Sequence, residues 1–444
     1  MIRYPKEKNT DYKFIEKKIF SLSNTEDSIL NFYNKFIDNY DKLNKKYSFT
    51  EHFDKDFVLY QIKNQYQYKQ KALYCMPLGV KDIFNTIHLP TSMGSKIWAG
   101  FKAGNNARIV DEFVYNGGIV FSKTTTAEFA VHYIDNNKTI NPYNIKHITG
   151  TSSAGSAVAV ACGALPIALG SQTAGSIIRP ASYNNVYGFK PSFGAIDRTG
   201  TLKTTDTLDT IGFIGSDLYG IRKVFLATYQ KEKNYYYSHK YIEAQSVYKD
   251  KKNIRLGIIS NQFKNYNNYK NYVVDDFNYF VDSISSKKIN LDYLEKISFI
   301  NEIHDFHEKI YNKSLGYYFE QERKNDVKLS FLMKEMIKKG DLVSNDDFIY
   351  ATNKQPEIQE KFNKIFSKYD FIITPSTASA APLLGEKEID DTCLIWTFLG
   401  YPVINLPIFW NKKLQMPFGL QVIGPRYSDI ALLDFCEELL SEIS

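Results

Sequence analysis

Two short stretches of small hydroxyl residues lie close together in the chain and have the composition of a reactive site. They read GTSSAGS, beginning at Gly150, and GSQTAGS, ending at Ser176, and a run rich in Ala, Val, Leu and Ile separates them. Such loops permit tight turns and close packing, bind phosphate at helix N-termini, or hold a nucleophilic serine beside backbone N–H donors. Neither GxxxxGK[ST] nor GxGxxG occurs here, which disfavours nucleotide binding.

A nucleophilic serine needs a base, and the chain offers two kinds. None of the seven histidines lies in a nucleophile elbow, because the GxSxG motif is absent. His304 and His307 are spaced i, i+3 in a Lys-rich helical pattern, and we interpret them as a solvated face because no third metal ligand is indicated. Lys81 is the other candidate, since it lies in the apolar segment LYCMPLGVKDIF.

The chemistry required of Lys81 is specific. To act as a base near neutral pH, its pKa must fall from about 10.4 to about 7–8. Burial among small apolar and hydroxyl groups, without a carboxylate partner, lowers a lysine pKa in this way. Asp82 follows directly, but adjacent residues of a strand point to opposite faces, so it need not neutralise Lys81. A lysine whose amine extends to the surface remains the alternative at this point.

Composition restricts the class of protein. The chain has 444 residues, of which 43% are hydrophobic, enough for the core of a large α/β enzyme. The net charge of +6 is spread along the chain, which predicts a solvated surface and no nucleic-acid partner. The four cysteines form no CxxC pair and are predicted to be reduced. With no signal segment and no membrane-spanning run visible, we expect a cytoplasmic protein without membrane association.

The order of predicted elements favours one α/β domain over residues 1–444. Residues 1–70 have helical periodicity, and 225–365 are mostly helical with one strand, IRLGII. Between and after these segments, strands alternate with helices and hydroxyl-rich loops, which predicts a sheet of mixed strand directions. The strand-like segments are LYCMPLGVKDIF, GGIVFSKTTTAEF, Ile167 to Gly170, KYDFIITP, YPVINLPIF and FGLQVIG, and an amphipathic helix, DIALLDFCEELLSEI, ends the chain.

A longer pattern around these loops resembles the amidase signature family of serine hydrolases. The resemblance is densest over 73–217, the signature core, and looser over 368–440, within the C-terminal part of the core (368–444). The segment 225–365 diverges and is expected on the substrate side. It rests on GTSSAGSAVAVACGALPIALGSQTAGSIIRPASYNNVYGFKPSFG together with MPLGVKDIF, SKTTTAEFA, NPYNIKHITG, TLDTIGF, FIITPSTASAAP, WTFLGYPVINLP and PFGLQVIGP. The resemblance implies a single large α/β domain with a twisted mixed sheet covered by helices.

The resemblance also implies a Ser–cis-Ser–Lys triad. Ser176 would be the nucleophile, Ser152 the bridging serine on a cis peptide bond, and Lys81 the base. Glycines at 150 and 155 flank the bridging serine and permit an unusual backbone there. The backbone N–H groups around Thr173, Ala174 and Gly175 would form the oxyanion hole. Further residues are predicted to bind substrate: Phe129, Ala130, Val131, His132, Ser153 and Gln172.

Several positions depart from the common family pattern without removing a triad member. Gln172 and Ala174 stand in a loop that usually reads DTGGS, and Ala174 is more restricted in φ than glycine. Thr151 and Ala154 occupy positions where family members commonly have glycine. Ser216 occupies a position after the segment DTIGF where they often have arginine. The segments QTAGSIIRP and KTTTAEF resemble the stand-alone amidase branch more than the glutamine-hydrolysing subunit of tRNA-dependent amidotransferases.

Three functions remain in competition. The first is an amidohydrolase that cleaves a small-molecule carboxamide through an acyl-Ser176 intermediate, without a cofactor or metal. The second is an amidotransferase subunit that passes ammonia to a partner chain. The third is a non-catalytic binding protein that retains the fold, against which the presence of all three triad residues argues. A homodimer is compatible with each of them.

Overall fold

A computed structural model describes residues 8–131, 138–229, 235–237, 253–260, 268–284, 289–295, 297–325 and 327–443. Eleven strands form one sheet: β1 (Thr50–Phe53), β2 (Pro77–Lys81), β3 (Ile119–Thr124), β4 (Ile167–Gln172), β5 (Tyr187–Lys190), β6 (Thr210–Gly215), β7 (Ile254–Ile258), β8 (Ile289–Tyr293), β9 (Phe371–Pro375), β10 (Val403–Asn411) and β11 (Met416–Ile423). Their order across the sheet is β1-β3-β2-β4-β6-β5-β10-β11-β9-β7-β8. Parallel and antiparallel pairs both occur, so the predicted single α/β domain with a mixed sheet is confirmed.

Fourteen α-helices lie within the described residues. They are α1 (Tyr12–Leu22), α2 (Glu26–Tyr47), α3 (Lys55–Gln65), α4 (Arg108–Tyr115), α5 (Ala154–Ala161), α6 (Ile178–Tyr183), α7 (Leu218–Thr228), α8 (Asn271–Ser283), α9 (Glu302–Tyr318), α10 (Glu320–Arg323), α11 (Phe331–Leu342), α12 (Asn345–Phe366), α13 (Cys393–Leu399) and α14 (Asp429–Ile443). All four cysteines are free thiols, as predicted.

The helical prediction for residues 1–70 is confirmed for most of that segment. In α2, Thr25 caps the first turn by accepting a hydrogen bond from the Ser28 N–H, and Ile29 and Ile37 are buried at helical spacing. Two lysines in the last turn stabilise the helix, because their positive charges lie at the negative end of the helix dipole. The segment also contains β1, which pairs antiparallel with β3 at the edge of the sheet. A four-residue strand is too short to produce a recognisable period in the sequence.

Three adjacent strands position the candidate site. Strand β2 is parallel to both β3 and β4, with Gly79 opposite Ala168 and Lys81 opposite Thr124. All five residues of β2 are buried, as expected for a central strand covered on both faces. Because parallel strands end at the same edge, Lys81 at the end of β2 meets the loop that follows β4. The hydroxyl-rich loop after β3 reaches the same edge.

The divergent segment 225–365 adds two strands to the far edge of the sheet. Strand β7 confirms the predicted strand IRLGII. The described helices of this segment, from α8 to α12, agree with the prediction that it is mostly helical. Strand β8 was not predicted, although it pairs in parallel with β7. Only Ile289 of its five residues is buried, so the hydrophobic signal of this edge strand is weak.

Candidate active site

Lys81 is completely buried, and its amine lies between two serine hydroxyls. The distance from Lys81 Nζ is 2.7 Å to Ser152 Oγ and 2.9 Å to Ser171 Oγ. Burial lowers the pKa of Lys81 well below its ordinary value and outweighs the negative charge of Asp209, which acts in the opposite direction. Among the described residues, no carboxylate forms an ion pair with this amine. The structure therefore places a lysine that favours its neutral form against Ser152.

Asp82 has a different partner. It lies in the turn that follows β2 rather than in the strand, so the expected alternation of strand side chains does not apply to it. Its carboxylate forms an ion pair with Lys123 of β3 at 2.9 Å, and both side chains are fully buried. Lys123 also lies 2.8 Å from the Phe84 carbonyl and 2.7 Å from Thr91 Oγ1. These two lysines thus differ in their surroundings, since within the described residues Lys123 has a carboxylate to stabilise its charge and Lys81 has none in contact.

Ser152 lies in the first of the two loops, on a cis peptide bond after Thr151. Its carbonyl accepts a hydrogen bond from the Ala127 N–H at 3.4 Å, which joins this loop to the one after β3. Gly150 adopts a φ of 76°, in the left-handed region that favours glycine. A Cβ at Gly155 would lie 2.4 Å from the Thr125 nitrogen, so only glycine permits this close approach. Gly150 thus adopts a backbone conformation that favours glycine, whereas Gly155, within α5, permits close packing of this helix against the loop after β3.

Ser176 lies in the turn that connects β4 to α6, on the side of the sheet edge where β2 also ends. It is partly exposed, unlike Lys81 and Ser152. Within the described ranges, its hydroxyl has no hydrogen-bond partner. The resemblance to the amidase signature family assigns the nucleophile to this hydroxyl.

Ser171 is a site residue that the sequence reasoning missed. It lies near the end of β4, and its hydroxyl is the second partner of the Lys81 amine. The residue belongs to the quoted loop GSQTAGS, but its contact with Lys81 depends on β2 and β4 being neighbours in the sheet. A known strand order would have been the signal that identified it.

We expect Ser171→Ala to slow acylation by about five- to tenfold, because it removes one hydrogen bond worth about 1 kcal/mol from the amine of Lys81. The measurement is the rate of covalent modification by a fluorophosphonate as a function of pH. Ser171→Thr retains the hydroxyl and is the matched control. Equal slowing in both variants would contradict a function of the hydroxyl.

Gln172 and Ser153 lie at the site but face the protein interior. Gln172 is fully buried; its Oε1 accepts hydrogen bonds from the N–H groups of Ile177 and Ile178 at 2.8 and 3.0 Å, and its Nε2 donates to Thr397 Oγ1 at 2.9 Å. Ser153, also fully buried, bonds the backbone of Ser171. Both side chains are thus placed to hold the second loop rather than to contact a substrate.

Thr173 is held through both its side chain and its carbonyl group. Its hydroxyl donates to Asp209 Oδ1 at 2.8 Å, and the same carboxylate accepts from the Thr204 and Thr205 N–H groups. Its carbonyl lies 2.9 Å from Nε2 of His307. The loop proposed as the oxyanion hole is therefore anchored from two directions.

The interpretation of His307 as part of a solvated face is wrong. The side chain is 3% exposed, and burial lowers its pKa to about 4. It lies on the inner face of α9, next to the ring of Tyr311. His304, one turn earlier, is partly buried, and burial lowers its pKa as well. The helix carries several charged residues on its exposed side, and the sequence did not indicate that its other face packs on the signature core through His307 and Thr173.

The loop after β3 lies beside the cis peptide bond and has an unusual backbone. Phe129 and Ala130 both adopt left-handed φ values, 51° and 58°. Such conformations of non-glycine residues cost free energy and persist where the surroundings enforce them. Here the Phe129 N–H donates to the Met93 carbonyl at 2.8 Å, and its ring packs 4.6 Å from that of Phe319. Phe129 and Val131 are buried and Ala130 is partly exposed, whereas His132 lies outside the described residues.

Two features are absent from the part of the chain that the structure describes. No group of three or more His, Cys, Asp or Glu side chains there is arranged to hold a metal ion. No helix among these residues is both long and apolar enough to cross a membrane.

Comparison with known proteins establishes the class. The model of the family described as Amidase matches residues 32–433, so the chain belongs to this family of carbon–nitrogen hydrolases. This confirms the resemblance to the amidase signature family, but not the closer likeness to its stand-alone branch.

Individual relatives agree with this assignment. A curated relative, a glutamyl-tRNA(Gln) amidotransferase subunit from Clostridium novyi (strain NT), is 27% identical over 430 residues, which cover 86% of each chain. A crystal structure described as an amidase has a TM-score of 0.84 at 20% identity, covering 97% of this chain and 99% of its own. The peptide amidase of Stenotrophomonas maltophilia has a TM-score of 0.77 at 19% identity, covering 96% and 95%. At these identities the structural similarity shows the fold alone.

Proposed function

We propose that the chain hydrolyses a carboxamide through an acyl-Ser176 intermediate, with Lys81 as the base and Ser152 as the relay between them. The observation that carries this proposal is the buried amine of Lys81, 2.7 Å from Ser152 Oγ and without an ion-paired carboxylate in the described residues. A neutral amine in contact with a hydroxyl can accept its proton. Membership of the amidase family supports the same reaction.

The proposed proton path has two steps in each direction. Ser176 attacks the amide carbonyl as its proton passes to Ser152 Oγ, and the proton of Ser152 passes to Lys81 Nζ. The same path in reverse protonates the departing nitrogen. Water then attacks the acyl carbon as its proton passes along the same path to Lys81. The bond between the acyl carbon and Ser176 Oγ breaks as the proton returns to this oxygen, which releases the acid and restores the hydroxyl. In the tetrahedral intermediates, backbone N–H groups around Thr173, Ala174 and Gly175 donate to the oxyanion.

The substrate is a small-molecule amide in this proposal, and the loop over residues 129–131 borders its pocket. The packing of Phe129 on Phe319 supports this placement, because it connects the loop beside Ser152 to the divergent segment. In the same proposal the protein acts in the cytoplasm, alone or as a homodimer.

A second candidate is a glutamine-hydrolysing chain that transfers ammonia to a partner. The specific observation in its favour is the similarity to glutamyl-tRNA(Gln) amidotransferase subunits over most of both chains. The loop QTAGS, where those subunits more often have DTGGS, favours the stand-alone branch. Ammonia release from glutamine, compared with release from a panel of amides that differ in acyl chain and amine, separates the two. Turnover of glutamine alone, with stable capture of a partner chain, would favour the amidotransferase.

The proposed function is tested by labelling the protein with a fluorophosphonate and mapping the modified residue by mass spectrometry. We expect one adduct, on Ser176, in a stoichiometric amount. No adduct on the folded protein would favour the non-catalytic alternative. An adduct on another serine would overturn the assignment of the nucleophile but not the hydrolytic class.

A further inference from the structure

Two consecutive carbonyl groups of the loop after β4 are bonded by side chains from distant helices. The Thr173 carbonyl accepts a hydrogen bond from His307 of α9 at 2.9 Å. The Ala174 carbonyl accepts one from the Thr397 hydroxyl of α13 at 2.7 Å. Both donors are buried, and neither belongs to the segments that form the lysine–serine contact.

Each of these carbonyls determines the direction of one N–H group. In a planar trans peptide unit the C=O and N–H bonds point to opposite sides. The peptide bonds of this loop are trans, since the one cis bond among the described residues follows Thr151. The Thr173 carbonyl therefore sets the direction of the Ala174 N–H, and the Ala174 carbonyl that of the Gly175 N–H. These two N–H groups are donors of the proposed oxyanion hole.

We propose that His307 and Thr397 are positioning residues, which orient the Ala174 and Gly175 N–H groups toward the oxyanion by holding the carbonyls on the other side of the loop. This inference rests on the proposed function, because it concerns the intermediate formed on Ser176. It also gives the divergent segment a function in the chemical step, through α9.

The hydrogen-bonding capacity of each donor agrees with this assignment. A carbonyl only accepts, so Nε2 of His307 carries the proton, and the neutral imidazole has no second one. Burial keeps the ring neutral, with a pKa of about 4. Thr397 Oγ1 accepts from Gln172 Nε2 at 2.9 Å, which leaves its own proton for a carbonyl. The Ala174 carbonyl, at 2.7 Å, is closer than that of Cys393, at 3.2 Å.

The hydrogen bonds of the Gln172 side chain explain why a glutamine occupies position 172. Its Oε1 is occupied by the N–H groups of Ile177 and Ile178, so the amide must present its NH₂ group to Thr397. This orientation makes the Thr397 hydroxyl a donor toward the loop. A carboxylate at the same position would instead accept the hydroxyl proton and compete with the Ala174 carbonyl for it.

Two matched pairs of variants test the inference. His307→Gln places an amide NH₂ close to the position of Nε2, whereas the shorter His307→Asn does not reach the carbonyl. Thr397→Ser retains the hydroxyl, and Thr397→Val has nearly the same shape without it. The control is Thr228→Val, since Thr228 is also buried in a helix and donates to a backbone carbonyl, that of Val224, away from the site.

The measurements are the rate of fluorophosphonate labelling at Ser176, kcat and KM for p-nitrophenyl acetate, and the thermal unfolding midpoint. We expect Asn at 307 and Val at 397 to reduce labelling and kcat by about tenfold or more with KM little changed, because misdirected oxyanion donors affect the transition state. Gln at 307 and Ser at 397 should remain within about threefold of the wild type. The Thr228→Val control should label at the wild-type rate.

Two results would overturn the inference: wild-type labelling by the folded Asn and Val variants, or equal slowing within each pair. Both leave the proposed function intact, provided that the wild-type protein is labelled at Ser176. Failure of the wild type itself to react would instead count against the proposed function. Because Thr→Val is nearly isosteric, the second pair decides the question if the His307 variants do not fold.

Discussion

Ser176→Ala is expected to abolish covalent labelling and to lower amide hydrolysis by about 10⁴-fold or more, as the loss of a serine nucleophile does in other hydrolases. The residue is partly exposed and its hydroxyl bonds nothing in the described part of the chain, so the substitution should not change stability. Turnover of the amide found in the panel, together with mass spectrometry of the labelled protein, is the measurement.

Ser283→Ala is the control for this variant. Ser283 lies at the end of α8, and its hydroxyl donates to the Phe280 carbonyl of the same helix. It should react and turn over as the wild type does. Residual activity of the Ser176 variant above one-tenth of the wild type would remove Ser176 as the nucleophile.

Lys81→Met is expected to lower the rate of acylation by several orders of magnitude, with partial recovery at high pH as hydroxide replaces the base. In the wild type the rate should rise with pH and reach a plateau, since the protonated amine cannot accept a proton. Because burial lowers the pKa of Lys81, this plateau should begin at a lower pH than for an ordinary lysine. Both the plateau of the wild type and the recovery of the Met variant are measured as labelling rates between about pH 5 and about pH 10, a range that covers the titration of a lysine with a lowered pKa.

Lys81→Arg separates basicity from packing. Arginine keeps a charge at all these pH values, so it cannot serve as the base. We expect this variant to be inactive throughout, without the recovery seen for Met. A rate near that of the wild type at pH 7 in either variant would exclude Lys81 as the base.

The buried lysines Lys81 of β2 and Lys123 of β3 illustrate which contacts can be predicted from the sequence and which cannot. Lys81 was recognised because a charged residue stands in an apolar strand. The strand alternation expected for Asp82 was wrong, because β2 ends at Lys81 and Asp82 lies in the turn that follows. The same reasoning did not identify Lys123 as the partner of Asp82, because that contact joins two strands. Which carboxylate neutralises which lysine is a property of the sheet.

By itself, the sequence determined the α/β class, the strands that carry the site, the two glycine–serine loops and the triad candidates. The class, the strands, the loops and the candidate base Lys81 follow from short-range patterns of hydrophobic periodicity and glycine placement. Ser152 and Ser176 were assigned through the resemblance to the amidase signature family. The tertiary structure alone decided three other points. It placed Ser171 against Lys81, turned Gln172 inward, and brought His307 from a divergent helix to the Thr173 carbonyl. Each depends on strand order or helix docking, through which burial brings together residues that no local period connects.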